Sequence, residues 1–218
     1  HHVKIDFKPV KYGIQKFRMT EGQDETAGSW LIGHPLVFPN YVLIGQPGYK
    51  EFQIRVPIDD THTWHLSYHV YFPGPGVEIP EQTTIPTFEV PVRDYPDYVL
   101  GQDIVAWPAQ GEIVDRSMEK LAETDRGLIM FRKMLEDNMR MVEEGQDPIN
   151  TFRDPKENEF IELEMEDYGP LINYQSGYLQ HNNAGPYNTA IDVLDEFLVK
   201  TAEAWKSDGV AVPAHQNL

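Results

Sequence analysis

The chain has 218 residues, 40% of them hydrophobic, which is enough for one large domain or two small ones around a substantial core. Its 35 acidic and 18 basic side chains leave a net charge of −17, which argues against binding nucleic acid or anionic membrane, since both need basic surface. There is no cysteine, which excludes a disulfide framework and any cysteine-held zinc or iron–sulfur centre within this sequence. No stretch approaches the run of about 18 apolar residues that a membrane span needs. The start, His1-His2-Val3-Lys4, lacks the apolar segment of a signal peptide. A cytoplasmic setting is expected.

From Val3 to Phe72 the pattern is that of β-structure. Ile14 to Met19 reads as a strand after a Tyr12-Gly13 turn, and Glu21 to Asp24 as a further turn. Ser29 to Gly33, Tyr41 to Ile44 and Glu51 to Ile58 are strand candidates, with a turn at Asp59-Asp60. Thr61 to Phe72 is the clearest strand. Trp64, Leu66, Tyr68, Val70 and Phe72 fall on one face, and Thr63, His65, Ser67, His69 and Tyr71 on the other. Short turns between successive strands imply an antiparallel sheet.

Pro73 to Pro96 is too rich in Pro and Gly for regular structure and reads as a lid, an interface loop or a surface crossing. The longest helical periodicity lies between Gly101 and Gly145. There Leu128, Phe131, Leu135, Met139 and Val142 recur three or four apart, Thr124-Asp125 offers a cap and Gly145 a stop. A short helix over Asp115 to Glu123 is expected before it, and Asp103 is placed just ahead of the helical region. Glu157 to Glu166 fits strand or helix equally, and Tyr187 to Trp205 gives a C-terminal helix. The fold class is α+β, a single domain over residues 1–218.

Two blocks carry a resemblance. One runs Gln102-Asp103, then Gly111-Glu112-Ile113-Val114-Asp115-Arg116, then Thr124-Asp125-Arg126-Gly127 and a helix ending Glu143-Glu144-Gly145-Gln146-Asp147-Pro148. The other is Arg55-Val56-Pro57-Ile58-Asp59-Asp60-Thr61-His62-Thr63-Trp64. Together they cover residues 50 to 150 and resemble the catalytic domain of Rieske non-haem iron aromatic-ring oxygenases, in the branch of phthalate dioxygenase and its demethylase relatives. The resemblance implies a helix-grip fold, in which a curved antiparallel sheet wraps a long helix with a cavity between them. It also implies hydroxylation or O-demethylation of an aromatic substrate with dioxygen at mononuclear iron(II). Electrons would come from a reductase through a [2Fe-2S] Rieske cluster in a separate N-terminal domain, in a homotrimer or a multiple of one. With no cysteine here, that Rieske domain is absent from this sequence.

The family's iron sits on two histidines and a carboxylate, with open positions for dioxygen. Asp103 matches the carboxylate; as a bare residue it would be a helix-capping Asp. The histidines stand in a D-x-x-H-x-x-x-x-H segment with no counterpart here, so the iron site is expected to be incomplete. His65 and His69 are four apart on a strand, about 13 Å, too far to converge on one ion. The face bearing His65, Ser67 and His69 is instead a candidate wall for substrate. The sequence has no G-x-S-x-G elbow, P-loop, G-x-G-x-x-G or H-E-x-x-H. The alternative to an oxygenase is a helix-grip module that holds an apolar or aromatic molecule without reacting it.

Overall fold

Alternating patterns and short turns leave each strand free to pair with the next one along the chain. The computed structural model, which describes residues 1–46, 49–81, 91, 99–163 and 192–207, shows that arrangement. The strands are β1 (His2–Val10), β2 (Gly13–Thr20), β3 (His34–Val37), β4 (Tyr41–Gln46), β5 (Tyr49–Pro57) and β6 (Thr63–Tyr71). They form one six-stranded sheet in the order β1-β2-β3-β4-β5-β6, every pair antiparallel. With the long helix described below, this is the α+β, helix-grip-like architecture expected.

Residues directly opposite one another in an antiparallel pair share a face. Ile14, Leu36, Val42, Gln53 and Ser67 therefore align on one side of the sheet, and Tyr41, Ile54 and Leu66 on the other. The first side carries the two helices that matter here, α2 (Val99–Ala109) and α3 (Arg126–Glu143). Gly127 lets α3 approach β1, since a Cβ there would lie 2.3 Å from the Phe7 ring. Phe131 packs against Phe38 at 6.0 Å between ring centroids, and Arg126 pairs with Asp6 of β1. A fourth helix, α4 (Asp192–Ser207), buries Phe197 and Thr201 and meets the chain after β6 at Gly74. None of the helices in the described residues is long and apolar enough to cross a membrane.

Gly145 ends α3 as expected. At φ +77° it lets Gln146 N–H reach the Met141 carbonyl at 2.8 Å and its own N–H reach that of Val142 at 3.0 Å, closing the last turn. The apolar face of α3 is less buried than its periodicity implies. Leu128, Leu135, Met139 and Val142 are all exposed, although α3 meets β1 and β2.

Four other expectations are corrected. Ser29 to Gly33 is no strand: Gly28–Leu31 forms the short helix α1, with Trp30 edge-on to Phe17. Four residues are too few to show a helical period, and Gly33, at φ +71°, ends the turn where a strand pattern would continue. Asp115 to Glu123 is not a helix but two isolated 3-10 turns, Arg116–Met118 and Glu123–Asp125. Asp115 takes the N–H and hydroxyl of Ser117 at 2.9 and 2.7 Å, and Asp125 the N–H of Ala122 at 2.8 Å; such local bonds compete with the helix. Asp103 lies inside α2 and does not precede the helical region. Pro155–Asn158 is a 3-10 turn, and residues 159–163 beyond it have no regular structure. Most of the Pro/Gly-rich segment, the start of the C-terminal helix before Asp192, His181 and His215 lie outside the described residues.

The β5–β6 turn is built on one carboxylate. Asp59 accepts from the Thr61 and His62 backbone N–H groups, each at 2.8 Å, and pairs with the His62 ring at 2.9 Å. Bonds from the Thr61 N–H and the His62 side chain pull its pKa down to about 2. Because the folded value lies below the ordinary 3.8, the turn's support is full above pH of about 4 and is lost as pH falls through about 2. A carboxyl-carbon NMR titration should find Asp59 near 2; a midpoint at 3.8 would remove the proposed bonds. A second expectation concerns Gly33, where a Cβ would lie 2.3 Å from the Lys16 carbonyl at positive φ. Gly33→Ala should cost about 2–4 kcal/mol in urea unfolding, from left-handed strain plus overpacking. Gly28→Ala, with nothing within 4 Å, should cost nothing.

Candidate functional site

Alternation along β5 places Glu51, Gln53 and Arg55 on the face beneath α2, opposite His69, Ser67 and His65 of β6. Polar residues point toward the helices here, and the apolar stripe of β6 points out: Trp64, Leu66 and Tyr68 are 59%, 40% and 60% exposed. Glu51 and Gln53 are buried. Their cost is offset by a chain of hydrogen bonds. Ser67 Oγ donates to Glu51 Oε1 at 2.7 Å, Gln53 Nε2 donates to the same oxygen at 2.9 Å, and Arg55 Nη2 donates to Gln53 Oε1 at 2.7 Å.

Helix α2 closes over this stripe. Asp103 and Trp107 are one turn apart and share a helix face. The Trp107 ring lies 4.9 Å from the His65 ring, and the Arg55 guanidinium 5.5 Å from the Trp107 ring centre. Asp103 is solvent-exposed, yet close enough for its charge to act on both Arg55 and His65. Burial pushes the Arg55 pKa down, opposed by Asp103 and Glu51. Burial, and then the neighbouring Arg55, likewise lower His65, opposed by Glu51 and Asp103. His65 is the anomaly. Both of its ring nitrogens are enclosed with no hydrogen-bond partner, which a folded protein normally avoids unless water or a ligand completes the site.

Sequence reasoning named Asp103, His65, Ser67 and His69. The structure brings Asp103 and His65 together, gives Ser67 to Glu51, and pairs the backbone of His69 with Glu51. It adds Glu51, Gln53, Arg55 and Trp107. The signal for the first three was present: polar residues at every second position of a strand, alternating with Phe52, Ile54 and Val56. Mononuclear iron(II) takes two histidines and a carboxylate. No three His, Asp or Glu side chains gather in such a way among the described residues. Asp103, a Glu51 already bonded to Ser67 and Gln53, and one unpartnered imidazole do not supply that set, so these residues alone do not make an iron site.

Among the described residues, cavities lie on both sides of the sheet. On the helix side, about 450 Å³ lies between the sheet and α3, lined by Phe7, Ile14, Leu36, Val42, Leu128 and Phe131, with Lys16, His34 and Arg55 among them. On the opposite side, about 680 Å³ lies between Tyr41, Leu43 and Phe52 and the chain from Pro148 to Phe152. The second contains none of the residues gathered around Asp103.

Residues 92–184, which include α2 and α3, match the family model described as LigXa C-terminal domain like. Over 167 residues the chain is 35% identical to the 5,5'-dehydrodivanillate O-demethylase oxygenase subunit of Sphingobium sp. (strain NBRC 103272 / SYK-6). The resemblance to Rieske-type oxygenase catalytic domains holds. The match takes in 74% of this chain but only 38% of that oxygenase subunit, so the chain spans well under half of its relative's length.

The geometry separates two kinds of side chain on this face. Ser67→Ala removes a donor to the buried Glu51 carboxylate and should cost about 1–3 kcal/mol in chemical denaturation. His65→Phe keeps the ring against Trp107 and removes two unpartnered nitrogens, so it should leave stability unchanged or raise it. Loss of stability in His65→Phe would mean the imidazole is bonded.

Proposed function

We propose that this chain is catalytic-domain sequence of an oxygenase that O-demethylates or hydroxylates an aromatic substrate with dioxygen. Asp103 is the carboxylate ligand of mononuclear iron(II). The other ligands and the [2Fe-2S] Rieske cluster belong to parts of the oxygenase subunit outside this sequence. A reductase supplies electrons, and the subunits assemble as a homotrimer or a multiple of one. The observation that carries this reading is the position of Asp103, the QD carboxylate of the family block, on the side of α2 that carries Trp107 and meets His65 and Arg55.

On this reading the residues around Asp103 have roles of their own. Trp107 and His65, their ring planes 53° apart, form an angled wall for an aromatic ring. The Ser67–Glu51–Gln53 chain holds Arg55 in place. For O-demethylation the overall balance is one methoxyarene, one dioxygen, two electrons and two protons, giving a phenol, formaldehyde and water. A second reading, a binding module without catalysis, is favoured by the short donor set and the apolar cavity under α3.

The two readings separate in the oxygenase subunit that contains this sequence, supplied with a reductase, dioxygen and a methoxy-substituted aromatic acid. Formaldehyde and phenol should appear in equal amounts, and Asp103→Ala should lower turnover by about 100-fold or more, beyond the usual effect of an outer-shell change. Full turnover in Asp103→Ala would remove this carboxylate from the iron site. Binding without turnover in the parent protein would favour the binding module.

A further inference from the structure

We infer that the cavity on the side of the sheet away from α2 and α3 binds a neutral phenol, with the side-chain carbonyl of Asn150 accepting from its hydroxyl. The cavity measures about 680 Å³, within the range of small-molecule sites. In a chain of net charge −17, no charged side chain lines it among the described residues. An ion placed there would lose hydration and gain no counter-charge, so the ligand is uncharged. The wall is aromatic: Tyr12, Phe38, Phe52 and Phe152 all line it. Tyr12 and Phe152 form a tilted pair, 6.3 Å between centroids, and an aromatic guest gains from packing against such rings beyond the area it buries.

Asn150, which also lines the cavity, supplies the polar contact. Among the described residues it is the only non-glycine with positive φ, at +67°, a conformation that concentrates at binding sites. Both of its amide hydrogens are spent. Nδ2 donates to the Tyr12 carbonyl at 3.0 Å and to that of Phe38, which ties the turn after β1 to the turn after β3 and settles which end of the amide is nitrogen. Its Oδ1 accepts no hydrogen bond among the described residues. A fixed acceptor with no donor of its own left selects a ligand that donates. A phenol meets all three conditions, with a flat ring, no charge at neutral pH and one hydroxyl donor. The site lies apart from Asp103 and its neighbours, and the inference does not depend on the oxygenase reading.

The test is calorimetric titration of this chain with 4-propylphenol, with its methyl ether, and with 3-(4-hydroxyphenyl)propanoate, which ends in a carboxylate. The phenol should bind, the ether and the acid each at least about 10-fold more weakly, and added salt should leave the phenol unaffected. Nuclear Overhauser contacts should run from the bound phenol to the Tyr12 and Phe152 rings. Asn150→Gly keeps the positive φ and removes the acceptor, so it should weaken the phenol by about 10-fold, toward the ether. Circular dichroism checks that the variant folds; if it does not, the ligand comparison and the Overhauser contacts on the unaltered chain decide. Binding of none of the three, an ether or acid that binds as tightly as the phenol, or a phenol affinity unchanged in Asn150→Gly would overturn the inference. So would contacts to Leu128 and Phe131 in place of Tyr12 and Phe152, which would put the phenol under α3.

Discussion

A buried carboxylate sets the terms for this site. Glu51 is 7% exposed on the inner face of β5, where an ionised group without partners would be costly. Ser67 and Gln53 meet it, and Gln53 can do so only with its amide turned so that its carbonyl oxygen faces Arg55. One buried acid thereby orients a neutral amide, and the amide orients a cation. That cation lies at the boundary between the Asp103 cluster and the cavity under α3.

The sheet is folded so that this network faces the helices, while the apolar stripe of β6 faces away. That inverts the usual preference for apolar residues inside. Polar residues on an inner face reduce the stability available from burial there, and such reversals concentrate where a protein binds or reacts something. The enclosed, unpartnered His65 nitrogens have the same character.

Much of this was legible in the sequence. The alternation of β6 placed His65 and Ser67 on one face, and the family blocks pointed to Asp103 before any geometry was known. The stop of α3 at Gly145 followed from its glycine. The failures have local causes. α1 is four residues long and too short to show a period, and β3 is equally short and carries Pro35, so neither stands out. Side-chain capture of backbone N–H groups by Asp115 and Asp125 broke an expected helix into 3-10 turns. The role of Arg55 could not be read at all, because it depends on the distance between a strand and a helix about fifty residues further along the chain.

The central claim is that α2 lies across the polar face of β5 and β6, bringing Trp107 onto His65 and Arg55. Proton NMR of this chain in solution tests it directly, through nuclear Overhauser contacts between the Trp107 indole and the His65 imidazole. Rings with centroids 4.9 Å apart should give strong cross-peaks, retained in Asp103→Ala. Absence of those cross-peaks in a folded chain would mean α2 sits elsewhere, and Asp103, Arg55 and His65 would no longer form one site.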